Sequence, residues 1–233
     1  DKKSEKYTKN FLEKNIDKEK IENFGEFKRE GLIVNEKSAG KFSILRDDDL
    51  RKTIMDEKTK IISLTDIKSF NMANKTNITL KKDEAIVFDS KAKKYDEISI
   101  ENQNLKVKEN AKNISYVLMD PTTSLFHNIL VVVDDMDEFS KKISDGKNIK
   151  TFPSVSGIYF DLKDKSQKNI DYMDKNLNEN ISDKDKILIK NSIENRMEFD
   201  KIHTGAYIVV LILAIVFLIS TIIVIYYKQA AEG

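Results

Sequence analysis

Residues 204–227 read TGAYIVVLILAIVFLISTIIVIYY and carry no formal charge. Within them, Ala206 to Ile225 is apolar apart from Tyr207, Ser220 and Thr221. Twenty residues at the helical rise give about 30 Å, the thickness of a bilayer's hydrocarbon core. Lipid offers no partners to free peptide groups, so the stretch is expected to span as a helix. Its richness in Ile and Val disfavours a helix in water. That objection fades in lipid, where nothing else hides the backbone. Tyr207 on one side, and Tyr226, Tyr227, Lys228 and Gln229 on the other, fall where interfacial residues belong. The preceding residues are highly charged and are expected to form a water-exposed domain on this anchor.

Composition narrows the function. The chain has 233 residues, with 40 Lys+Arg against 39 Asp+Glu. No basic excess points to nucleic acid. Arg29, Arg46, Arg51 and Arg196 are the only arginines, which favours general solvation over bidentate phosphate recognition. There is no Cys, which excludes thiolate metal sites and Cys nucleophiles. His127 and His203 are the only histidines, too few and too far apart in sequence to suggest a zinc site. No nucleophile elbow, zincin helix, phosphate loop or dinucleotide fingerprint occurs. We therefore expect no catalytic residue, no metal, no cofactor and no enzymatic activity in this chain. The opening DKKSEKYTKNFLEKN is polar and carries no signal peptide, so the chain reads as a fragment of a longer polypeptide.

Periodicity assigns the elements. Tyr7, Phe11, Leu12 and Ile16, continuing to Ile21 and Phe24, have helical spacing, and Gly25 is expected in a turn. Gly31 to Asn35 and Phe42 to Arg46 read as a hairpin, with a short helix following over Leu50 to Met55. Ser63 with Asp66 three residues on resembles a capping box opening a helix to about Asn74. A run of short β-branched segments follows: Ile78–Leu80, Ala85–Phe88, Ile98–Ile100, Leu105–Val107, Tyr116–Met119 and Ile129–Val133. The last is continuous and predicts a central strand buried on both faces. Met136, Phe139 and Ile143 share one helical face. Ile158–Leu162 alternates as a strand. Ile170, Met173, Leu177 and Ile181 mark an amphipathic helix, and a further helix from Ser182 is expected to run into the span, with Gly205 as a soft point. The fold class is thus an α+β domain with a mainly antiparallel sheet over 1–201, including a helical stalk region over 166–201. A transmembrane helix follows over 202–227, and 228–233 start on the other side.

Three charged groups are candidate ligand-binding residues. Asp47, Asp48 and Asp49, and the set Asp134, Asp135, Asp137 and Glu138, suit a cationic peptide. The second set also opens a helix, where carboxylates complement the macrodipole by roughly 0.3–1 kcal/mol each. We weigh that structural reading above the ligand one, and the same for the first set. Lys91, Lys93 and Lys94 suit a pyrophosphate, although lysines at this density usually serve solvation. Ser220 and Thr221 either bond back to a carbonyl one turn earlier or mark a face packed on a neighbouring helix.

The span and its exit carry a more specific pattern. Ile215-Val216-Phe217-Leu218-Ile219-Ser220-Thr221, then Ile225-Tyr226-Tyr227-Lys228-Gln229 and Glu232-Gly233, resembles the eighth membrane helix of FtsX-like permeases of bacitracin-type (peptide-antibiotic) ABC transporters. Ser63–Leu80 followed by Lys81-Lys82-Asp83-Glu84-Ala85, Ile129–Asp135 and Ile158–Asp161 are more loosely similar to that family's large extracellular domain. The chain departs from the family in having no Gly between Ala206 and Ile225, and Ala230-Ala231 in place of a more usual Ile-Ser. The resemblance implies residues 1–201 outside a bacterial, multi-pass cell membrane and 228–233 in the cytoplasm. It implies a role in sensing or recognising peptide antibiotics or lipid-pyrophosphate complexes and in resistance to them. The implied partners are a cytoplasmic ATPase subunit that hydrolyses ATP, other membrane helices of the same permease, a sensor histidine kinase and the lipid bilayer. The rival expectation is the outer ligand-binding domain of a membrane-anchored sensor or chemoreceptor, which explains the soluble domain and single span equally well but not the Tyr-Lys-Gln exit.

Overall fold

The computed structural model describes residues 18–45, 57–119, 127–144, 154–179 and 192–232. The chain divides into two units, 1–187 and 188–233. The first unit holds β1 (Ile21–Ser38), β2 (Lys41–Ile44), β3 (Thr59–Asp66), β4 (Glu84–Asp89), β5 (Glu97–Ile100), β6 (Gln103–Asn110), β7 (Asn128–Val133) and β8 (Val155–Leu162). Its helices are α1 (Ile67–Asn74), α2 (Met136–Ser144) and α3 (Gln167–Glu179). The second unit is α4 (Ser192–Glu232).

The strands run β2-β5-β6-β4-β7-β3-β1, and β2 pairs back to β1, closing a seven-stranded barrel. β8 adds to β1 outside that ring. Three of the eight pairings, β2–β5, β3–β7 and β4–β6, are parallel. The α+β expectation therefore holds, but the sheet is mixed and closed rather than mainly antiparallel. The physical reason is long-range: β3 and β7 lie more than sixty residues apart, and no turn between them announces their pairing.

Alternation along each strand builds the interior. Leu32 and Val34, Phe42 and Ile44, Ile62 and Leu64, Ala85 and Val87, Ile98 and Ile100, Leu105, and Ile129, Val131 and Val133 form one buried cluster drawn from all seven barrel strands. Met136, Phe139 and Ile143 of α2 belong to the same cluster. A helix reaches the inside of a closed wall only through an open end, so α2 plugs the end where β7 finishes. The opposite parity of β4 and β7, Ile86, Leu130 and Val132, forms a second cluster outside the wall with Phe70 of α1, Leu80 and Leu118. β7 is thus buried on both faces, as its unbroken apolar run predicts.

Several local expectations are corrected. Residues 18–20 form a 3-10 turn and Ile21 onward is strand, so the helix expected to reach Phe24 does not include its last residues, and Gly25 lies inside β1. Residues 4–17, the helix over Leu50 to Met55 and residues 182–191 of the expected stalk lie outside the described residues, while the stalk from Ser192 onward is helical. The N-cap of α1 is Asp66 rather than Ser63: its carboxylate accepts from the Ser69 N–H at 2.7 Å. Ser63 stays in β3, which runs on between β1 and β7 to Asp66. Ile78–Leu80 is not a strand, because Asn71 takes both backbone groups of Ile78, accepting from its N–H at 2.9 Å and donating to its carbonyl at 2.7 Å. Tyr116–Leu118 is a 3-10 turn instead of a strand.

In the second unit, α4 is a single unbroken helix whose segment Thr204–Glu232 is long and apolar enough to cross a membrane. Gly205 does not interrupt it. Ser220 Oγ donates to the Val216 carbonyl and Thr221 Oγ1 to the Phe217 carbonyl, each at 2.8 Å. Both hydroxyls are therefore satisfied within the helix, the first of their two expected roles.

Candidate functional site

The two ends of the barrel differ in chemistry. At the end where β7 begins, the interior parity of β4 passes from Ala85 and Val87 to Asp89. A carboxylate facing inward requires donors. Tyr95 supplies its hydroxyl to Asp89 Oδ2 at 2.7 Å, the Lys91 N–H donates to Oδ1 at 2.7 Å, and His127 Nε2 lies 2.8 Å from Oδ1. The Asp89 side chain has no solvent exposure and that of His127 only 9%. Burial by itself pushes the Asp89 carboxyl up, but the bonds from Tyr95, His127 and the Lys91 backbone outweigh it and hold the group below its ordinary value. An ionised carboxylate only accepts, so the His127 proton facing it sits on Nε2. Burial, then the Asp89 carboxylate, push the Tyr95 phenol far above its usual range, and it stays a neutral donor.

The loop between β4 and β5 is shaped to deliver these groups. Ala92 takes a left-handed φ of 57°. Asn110 clamps the chain by accepting from the Tyr95 N–H and donating to the Tyr95 carbonyl, both at 2.9 Å. Ser90 and Asn128 exchange two bonds across the strand ends, at 2.9 and 3.1 Å. Around this hub, Lys93 pairs with Glu36 and sits 5.2 Å from the Tyr95 ring centre. Lys60, buried, donates to the Glu57 carbonyl. All three donors converge on one carboxylate. The group is thus an acceptor hub that closes the barrel end rather than a relay passing a proton onward.

The α2 end carries the acidic set. Asp135 accepts from the Glu138 N–H at 2.9 Å and so caps the helix. Asp137 pairs with Lys28 of β1. Glu138 binds Lys142 at 2.8 Å and Lys82 at 3.0 Å, and these two ammoniums hold its carboxyl below the ordinary value. Asp134 is exposed beside them at a shallow cleft that Lys82, Phe139 and Lys142 also line. Three of the four predicted carboxylates thus have partners within the fold: Asp135 caps the helix, whereas Asp137 and Glu138 pair with lysines. Among the described residues, no group of His, Cys, Asp and Glu is arranged to hold a metal.

The predicted lysines all lie at the polar end. Lys91, Lys93 and Lys94 are exposed, with the Lys93 charge turned to Glu36. Asp47, Asp48 and Asp49 lie outside the described residues. In the second unit Tyr207, Tyr226, Tyr227, Lys228 and Gln229 are all exposed along α4. Nineteen helical rises take Tyr207 to Tyr226, about 29 Å, which is close to the thickness of a hydrocarbon core. The Asp89, Tyr95 and His127 hub was not anticipated from the sequence. Its one readable signal was Asp89 continuing the inward alternation of Ala85 and Val87. No protein-family model matches the chain, and no curated protein matches it.

Proposed function

We propose that this chain is the extracellular ligand-sensing domain, and the membrane helix that follows it, of an FtsX-like permease in a peptide-antibiotic ABC transporter. One observation carries the reading. A continuous helix of spanning length carries Tyr226-Tyr227-Lys228-Gln229 in its last turns, the exit that resembles the family's. The barrel would stand outside the cell and α4 would transmit its state inward, a helix being a suitable transmitter because its backbone bonds are internal. A cytoplasmic ATPase subunit would supply energy, other membrane helices of the permease would surround α4, and a histidine kinase would read the result. In this reading Lys91 and Lys94 meet the pyrophosphate of a lipid complex at the polar end, and Asp134 meets a cationic peptide at the α2 end.

Titration of the full chain in lipid nanodiscs tests the reading. The probes are bacitracin and a nanodisc-embedded isoprenyl pyrophosphate, each alone and then together. We expect saturable binding, weakened at least about tenfold, or roughly 1.4 kcal/mol, by Lys91→Glu with Lys94→Glu if the pyrophosphate is recognised. Weakening by Asp134→Asn instead assigns recognition to the peptide. Absence of binding to either probe at low salt overturns the proposal and favours the chemoreceptor-like alternative.

A further inference from the structure

β8 stands outside the closed ring. Every barrel strand has hydrogen-bonded neighbours on both sides, whereas β8 pairs with β1 alone among the described residues. It holds the first half of β1, Ile21 to Arg29, while the barrel uses Arg29 to Ser38. Neither buried cluster contains a residue of β8 or of α3, although Met173 and Leu177 of α3 are themselves buried. β8 is half-buried to exposed throughout, where β7 is buried at every position.

Besides its ladder to β1, a small set of side-chain contacts fastens β8 among the described residues. The Tyr159 ring lies on Gly25 so closely that a Cβ there would come within 2.3 Å of it, and the Phe27 ring lies on Gly157 at 2.6 Å by the same measure. These are directly opposed positions, Gly25 with Tyr159 and Phe27 with Gly157. Tyr159 Oη donates to the Met72 carbonyl at 2.7 Å, and Asn23 Nδ2 to Asp161 at 2.9 Å. The first half of β1 has its own ties to the barrel side, the Lys28 N–H to Ser69 Oγ at 3.0 Å and Lys75 Nζ to Asn23 at 2.7 Å. Loss of β8 therefore leaves β1 attached.

We propose that β8 is a detachable strap, which peels from β1 as a unit while the seven-stranded barrel stays closed. α3 and then α4 follow β8 along the chain. Peeling its 8 residues releases up to about 26 Å of extended chain at some 3.3 Å per residue. The strap is thus a reserve of chain length that costs no barrel hydrogen bond. Local openings of this kind are sampled well below the free energy of global unfolding. Peeling stands whether or not the chain belongs to a permease, since it involves only the domain's own strands.

Hydrogen exchange read by mass spectrometry on the full chain in nanodiscs tests this. Amides of residues 155–162 are expected to exchange at least about tenfold faster than those of 129–133, with little dependence on low denaturant concentrations. Tyr159→Ala removes both the ring on Gly25 and the bond to Met72. It is expected to raise exchange about tenfold further in 155–162 and leave 129–133 unchanged. Tyr159→Phe, which keeps the ring, provides a milder variant with a smaller rise of the same pattern. Equal rates in wild-type β8 and β7 with one common denaturant dependence, or acceleration of both segments together by the substitutions, overturns the proposal.

Discussion

Asp89 accepts three hydrogen bonds while its side chain is withdrawn from solvent, which makes it the most demanding residue of the barrel. Removing the carboxylate strands the Tyr95 hydroxyl and the His127 N–H, each buried or nearly so. Asp89→Ala is therefore expected to lower unfolding free energy by about 1–3 kcal/mol at neutral pH, read from urea midpoints at constant slope. The acid dependence has a definite sign. A carboxyl held below its ordinary value of 3.8 gives stabilisation that is full above that value and lost as pH falls through the lower folded one. Wild-type stability should therefore fall across the acid range, and Asp89→Asn should flatten that fall. An unchanged acid profile in Asp89→Asn would remove the hub's role. At Gly25 an added Cβ meets the Tyr159 ring at 2.3 Å, so overpacking in Gly25→Ala should loosen β8, raising amide exchange in 155–162 about tenfold while the urea midpoint of the barrel changes little. The caps on α2 were legible because carboxylates at a helix start follow a local rule. The hub was not, because Asp89 and His127 meet across thirty-eight positions and no local pattern links them.

Elements whose signal is local were legible. The β5–β6 hairpin, with Ile98 opposite Leu105 and Ile100 opposite Gln103, follows the alternation of its own ten or so residues. Parallel neighbours are invisible to that reasoning, which is why a mixed barrel looked like an antiparallel sheet. The start of β1 misleads for a different reason. A bulge between Glu22 and Phe24, with Asn23 at φ 51°, inserts one residue, so Ile21 and Phe24 oppose Leu162 and Phe160. Two apolar residues three apart on one face imitate a helix. For α1, the Asp66 cap predicts a loss of about 1 kcal/mol in Asp66→Ala, measured by denaturant unfolding. For α4, Leu213→Arg places a charge near the centre of the apolar stretch. It should cost about 2.5–3.5 kcal/mol of insertion and release a share of the chain from carbonate-washed membranes.

At the scale of the whole molecule, a closed barrel with a polar hub at one end and a helix-plugged end at the other is joined in sequence to one helix of spanning length. In the proposed reading the barrel is displayed outside the cell and α4 carries its state inward. The chain contains no Cys, so single cysteines report topology without background. Lys94→Cys on the exposed loop and Gln229→Cys after the span would each be treated in intact bacteria with a membrane-impermeant maleimide, then again after permeabilisation. Labelling of position 94 is expected in intact cells, and of position 229 only after permeabilisation. Labelling of 229 with protection of 94 in intact cells would place the barrel inside and contradict this reading.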